Sequence, residues 1–218
     1  MAKGVWGVEV NTTNREDVEV LGKVYSVIKA KAYLLGIPEK VLSKYYRGAK
    51  EVLQRIRSIE YGEGYVRATI ISSKASRTGV ERTVLVRDLT GSLKHVRVGT
   101  PLEESFHHVV VAEHMMKCNC PVAIRNASKA DKWLEDFAKR NGLPVPSEPL
   151  FAKHVLCKHT LVVLSKGLAY GAIRLSDTLI DNISLSLAGL ALAENVVNEN
   201  IVKELLRHLS SQRKIWEK

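Results

Sequence analysis

The sequence predicts an α+β fold: an N-terminal helical hairpin with an antiparallel β-sheet, a metal-stapled segment, and C-terminal helices. Two periodicities and one motif carry that expectation. Apolar residues recur at helical spacing from Leu21 to Ile56 and through the C-terminal region, while β-branched runs fill the middle of the chain. The motif is Cys118-Asn-Cys120 followed by Cys157-Lys-His159, which uses all 3 cysteines of the 218 residues.

The elements follow in order. Lys3 to Val10 alternates as a first strand. From Asp17, Leu21, Val24, Ile28, Ala32 and Leu35 step by three and four, an amphipathic helix closed by Gly36. Pro38 suits the first turn of a second helix. Its apolar stripe is Val41, Leu42, Tyr45, Ala49, Val52, Leu53 and Ile56, and Gly62 and Gly64 end it. Lys40, Lys44, Arg47, Lys50, Arg55 and Arg57 decorate this helix. Tyr65 to Ser73 reads as a strand, and Val80–Arg87 with Leu93–Val98 as a hairpin turning at Asp88-Leu89-Thr90-Gly91. His107 to Ala112 is a further strand running toward Cys118. Ser128 to Arg140 is a short helix with a serine cap, followed by a connector stiffened by Pro144, Pro146 and Pro149. His159 opens another helix, and the last stretch is helical with a break near Asn195–Asn200. The expected divisions are 1–105, a basic α+β domain; 106–174, the cysteine–histidine segment with a helical insertion; and 175–218, C-terminal helices.

Composition bounds the function. A hydrophobic fraction of 45% and a charged fraction of 26% are those of an ordinary folded domain. The longest apolar stretch, Ile183 to Ala193, is shorter than the about 20 residues a membrane helix needs. Nothing at Met1–Trp6 resembles a signal peptide, and cysteines at metal spacing point to the cytoplasm. The net charge is +10, and the surplus sits on residues 1–174 rather than on the C-terminal helices. Phosphate backbones are the commonest partner of such a surplus; bare solubility is the alternative.

Three thiolates and one imidazole complete a tetrahedral shell for zinc. With four protein ligands no position is left for water or substrate, so one structural Zn2+ is expected, held by Cys118, Cys120, Cys157 and His159. An iron–sulfur cluster with one histidine ligand is the competing metal group, and buried unligated thiols are the plain alternative. His107, His108, His114 and His154 lie near enough in sequence to be spare ligands, but the set is complete without them.

A hydrophobic strand, then Cys-x-Cys-Pro, then Cys-Lys-His-Thr-Leu-Val-Val-Leu at a helix start closely resembles the SWIM zinc finger, whose signature is CxC…CxH. The resemblance covers about His107 to Gly167 and implies a zinc-stabilised ββα unit that binds DNA or protein, in a chain of archaeal type. Two features depart from the pattern. The spacer from Pro121 to Leu156 is longer than usual and holds its own helix, and Val162 stands where the family's recombination regulators often carry alanine. The regulator subfamily is therefore not implied.

Ala32, Gly36, Ile37, Leu42 and Tyr45 also resemble the turn of a helix-turn-helix, with Glu39, Lys40, Ser43, Lys44 and Arg47 facing DNA. A helical hairpin with a solvated basic face explains the same residues more simply.

No nucleophile–base pair, phosphate loop, dinucleotide glycine pattern or paired-carboxylate constellation emerges, so a non-enzymatic role is expected. The expectation is a zinc-stabilised nucleic-acid-binding protein, DNA before RNA, acting in transcription, recombination or chromatin. Its candidate contacts are Lys40, Lys44, Arg47, Arg67, Arg82, Arg87, Lys94, Arg97, Lys117, Arg125, Lys129 and Lys158. The alternative is a zinc-dependent adaptor that meets a protein partner, or a second copy of itself, through the C-terminal helices. No membrane partner is expected.

Overall fold

Alternating β-branched residues build the central sheet, and a nearly all-apolar helix packs across one of its faces. The computed structural model describes residues 6–8, 15–72, 82–87, 93–98, 106–143 and 145–216. The fold is α+β. Five antiparallel strands run in the order β1 (Trp6–Val8), β2 (Ile56–Gly62), β3 (Tyr65–Ile71), β6 (Phe106–Ala112) and β7 (Met115–Cys118). Between β3 and β6 in sequence, β4 (Arg82–Arg87) and β5 (Leu93–Val98) form a separate two-stranded ribbon. The turn expected at Asp88–Gly91 lies outside the described residues, as do the flanks of β1, Ser73 and Pro144.

The register divides the sheet into two faces. Ile59, Ala68, Val109 and Cys118 align across the strands on the inner face, as do Tyr61, Val66, Val111 and Met116, and all are buried. The opposite alignment, Ser58–Thr69–His108 and Glu60–Arg67–Val110–Lys117, forms the outer face, where Ser58, Arg67, His108 and Lys117 are exposed.

Helices α1 (Arg15–Leu34) and α2 (Glu39–Leu53) form the N-terminal hairpin. Gly36 joins them at φ 68°, and the side chain of Asn198 stands 2.9 Å from where a Cβ would be, so both backbone and space require glycine. Helix α3 is Pro121–Arg140, α4 Lys158–Ala169, α5 Asp177–Ala193 and α6 Glu199–Trp216. Helix α4 is the hub. It is buried from His159 to Gly167 and touches α1, α2 and the inner face of the sheet. At Gly167 the helix comes so close to Val66 and Ile173 that an added Cβ would lie within 2.9 Å of both. Helix α5 is buried from Asn182 to Ala193 between α3 and α6, and Asn195 at φ 58° breaks the chain before α6.

Three elements differ from the sequence reading. The second helix ends at Leu53, and Ile56–Gly62 is strand β2. Arg55 and Arg57 therefore leave the helix. Ile56 and Ile59 fit a helical step as well as a strand, and pairing with β3 decides between them. Helix α3 begins at Pro121 rather than at Ser128, because the Cys120 thiol caps it by accepting the Ala123 amide, with Pro121 in the first turn. Finally, Glu113 and His114 turn the chain back into β7, a short strand beside β6.

Candidate metal centre

The four motif residues come from three elements that meet at one corner. Cys118 ends β7, Cys120 caps α3, Cys157 caps α4, and His159 lies in the first turn of α4. All four are buried, none more than 5% exposed. One donor atom from each lies within 4.8 Å of every other. The Cys118 sulfur stands 3.7 Å from His159 Nδ1, and the Cys157 sulfur stands 4.0 Å from both His159 Nδ1 and the Cys120 sulfur. A tetrahedral ion with Zn–S of about 2.3 Å and Zn–N of about 2.0 Å sets its donors roughly 3.5–3.8 Å apart. The donors thus converge on a volume suited to one four-coordinate metal ion, and Nδ1 is the imidazole atom that faces it.

The surroundings favour thiolates. The Cys120 amide donates to the Cys118 sulfur (3.4 Å), and the Ala123 amide to the Cys120 sulfur (3.4 Å). The Thr160 amide donates to the Cys157 sulfur, the Cys157 amide donates to the Thr160 hydroxyl at 2.9 Å, and that hydroxyl donates to the Cys157 carbonyl at 3.0 Å with the sulfur 3.7 Å away. Two helix N-termini, those of α3 and α4, add positive dipole ends at Cys120 and Cys157.

The acid–base balance within the trio is uneven. Hydrogen bonds from the Cys118 and Cys157 thiols hold Cys120 far below the ordinary thiol range. Cys118, hydrogen-bonded to Cys120 and Cys157, is held well above it. Burial pushes Cys157 up to about 12. Three thiolates this close and this buried repel one another, and a divalent cation would offset that repulsion.

Sequence reasoning passed over the supporting shell. The His107 ring tilts against His159 with centroids 4.7 Å apart. Neither His107 nor His108, His114 or His154 belongs to the four-donor group. Tyr45 of α2 accepts from Asn126 of α3 (3.0 Å), which ties the N-terminal hairpin to the helix capped by Cys120. The signal for the capping role was Pro121 directly after a thiol.

The twelve candidate cations separate into distinct places. Lys40, Lys44 and Arg47 lie on α2, Arg125 and Lys129 on α3, and Lys158 opens α4. The Tyr45–Asn126 contact draws α2 and α3 together, so that Lys44 and Lys129 both act on Glu194 and hold its carboxyl below the usual range, Lys44 foremost. Arg67 and Lys117 project from the outer face of the sheet. Arg82 and Arg87 fall on β4, Lys94 and Arg97 on β5.

No family model, no curated protein and no solved structure matches the chain. Among the described residues, no helix is long and apolar enough to cross a membrane.

Proposed function

We propose that this chain is a non-enzymatic, cytoplasmic nucleic-acid-binding protein whose recognition surfaces are held in place by one structural zinc ion. The observation that carries the reading is the closed set of four buried donors inside a strongly basic chain. Zinc suits the set better than an iron–sulfur cluster, because the donors converge on a point rather than surrounding a group of irons. Bound there, zinc supplies charge to hold three thiolates and a fixed crossing of β7, α3 and α4. The likeness to a SWIM finger is supported by the order of elements: hairpin β6–β7 runs into Cys-x-Cys, and α4 starts at Cys-x-His, with α3 inserted between. DNA is the expected polymer, as a net charge of +10 favours phosphate backbones.

The test is a salt titration of affinity for DNA and RNA. Binding that weakens steeply and linearly on a log–log plot supports the reading, and no binding to either polymer at low salt refutes it.

A protein-adaptor reading has one observation in its favour. Tyr33 (83% exposed), Leu34 and Val197 stand at one corner, where Asn198 and Asn200 donate to the carbonyls of Leu34, Leu35 and Gly36. Since α5 is buried, a partner or second copy would meet this corner and α6. A Leu34→Glu variant that shifts the oligomeric state or loses a co-purifying protein supports it.

A further inference from the structure

We propose that the nucleic acid is single-stranded and lies along the outer face of the sheet, continuing into the groove between that face and α3. This rests on the nucleic-acid reading above and names its surface. Helix α4 occupies the inner face, while the outer face is exposed at Ser58, Arg67, His108 and Lys117. Arg57 stands at the irregular start of β2 with its guanidinium 4.8 Å from the Phe106 ring centroid. Arg57, Arg67 and Lys117 therefore give this face three cations against one carboxylate, Glu60, which sits 3.8 Å from Arg67.

The groove has a volume of about 1040 Å³. His108, Val110 and Lys117 form its sheet wall, and Ile124, Ala127 and Val145 supply much of the opposite apolar wall. Four carboxylates, Asp131, Glu135, Asp136 and Glu148, line the groove with Lys117 and Lys132. Asp131 accepts the Phe151 amide, Glu135 pairs with Lys139 and Glu148 with Lys153, while Asp136 is exposed. Lys117 makes no ion pair among the described residues, so its charge is available.

Cations beside an apolar trough suit a strand whose phosphates take the rim while unpaired bases enter the trough and stack on His108 or Arg57. On the rival surface of α2 and α3, Lys44 is bonded to Glu194, while Glu39 is engaged by Lys29 and leaves Lys40 unneutralised. The sheet face is preferred for the apolar trough that lies beside its cations. Duplex readers instead insert a helix or two-stranded ribbon into a major groove about 12 Å wide, which a concave trough does not do. The ribbon β4–β5, with Arg82, Arg87, Lys94 and Arg97, is the element that would favour duplex.

The test measures anisotropy of labelled single-stranded DNA, single-stranded RNA and duplex DNA with the full, metal-loaded chain across a salt series. Single strands should bind more tightly than duplex, and the RNA and DNA arms identify the sugar. Arg67→Ala with Lys117→Ala should weaken single-strand binding about tenfold and reduce the salt slope by about 1.4, two contacts at about 0.7 each. Ile124→Glu should weaken it through the trough, and Lys40→Ala with Arg47→Ala should change it less than about twofold. All these side chains are exposed, and an unchanged unfolding midpoint confirms folding. Preference for duplex, or single-strand binding unaltered by the sheet-face variants, overturns this assignment while leaving the nucleic-acid reading intact. Failure of the wild-type chain to bind any of the three polymers overturns both.

Discussion

Gly189→Ala is expected to destabilise the protein, although alanine is the better helix former. Gly189 lies inside α5, where exchange for alanine in an open helix would gain about 1 kcal/mol. Here an ideal Cβ would lie 2.4, 2.7 and 3.1 Å from three carbons of the Phe151 ring. Carbon pairs rest at about 3.5–4.0 Å, so the overlap approaches 1 Å at several atoms. The ring is 1% exposed, and the Asp131 carboxylate pins its backbone amide at 2.9 Å, so it has little room to retreat. Overpacking of this kind costs about 1–3 kcal/mol, and overlap this deep belongs at the upper end. The net loss is about 2 kcal/mol, or a Tm lower by about 4–8 °C for a chain of this size. Phe151 opens the turn that leads to Cys157, so metal retention should fall with stability. Thermal and urea unfolding with metal content give the readout. Phe151→Leu combined with Gly189→Ala should cost less than the sum of the two single changes. A Gly189→Ala protein that melts higher than wild type would refute the close α5–Phe151 packing.

Cys157→Ala should lower metal content and stability together, and chelation should do the same to the wild type, both read by metal analysis and unfolding. Lys166 and Asp17 form an ion pair with side chains 10% and 13% exposed. Asp17→Ala should cost about 3–5 kcal/mol by leaving a buried ammonium, whereas Asp17→Leu with Lys166→Met should come within about 1 kcal/mol of wild type in urea unfolding. Burial is the main force holding His154 and His208 below the usual imidazole range. A base whose folded pKa is depressed binds its proton more readily when unfolded, so stability is full above about 6.5 and falls as pH drops toward the folded values. His208→Gln should flatten the decline in urea midpoint between neutral and mildly acidic pH, compared at equal metal content.

The clustering of Cys118, Cys120, Cys157 and His159 was the most legible part of the molecule, because two short-range pairs of potential ligands declare themselves in the sequence whatever the fold between them. Helices α1 and α4 were equally plain, through the steps of Leu21, Val24, Ile28 and Ala32 and through the apolar run after His159. Strand β2 was hidden because Ile56 and Ile59 satisfy two periodicities at once, and only pairing with β3 selects one. The start of α3 was hidden because thiols are not the usual helix caps, and strand β7 because four residues carry almost no pattern. Grouping of the cations depended on long-range contacts such as Tyr45–Asn126, which join residues far apart in sequence. Tertiary packing decided each of these.

We propose that Cys118, Cys120, Cys157 and His159 form a closed, single-ion Cys3His site. X-ray absorption with elemental analysis, on protein purified without added metal, tests it most directly. The expected result is about one zinc per chain, with three sulfurs at about 2.3 Å and one nitrogen at about 2.0 Å and no oxygen ligand. Iron with visible absorbance, an oxygen in the first coordination sphere, or cysteines that hold no metal would contradict it.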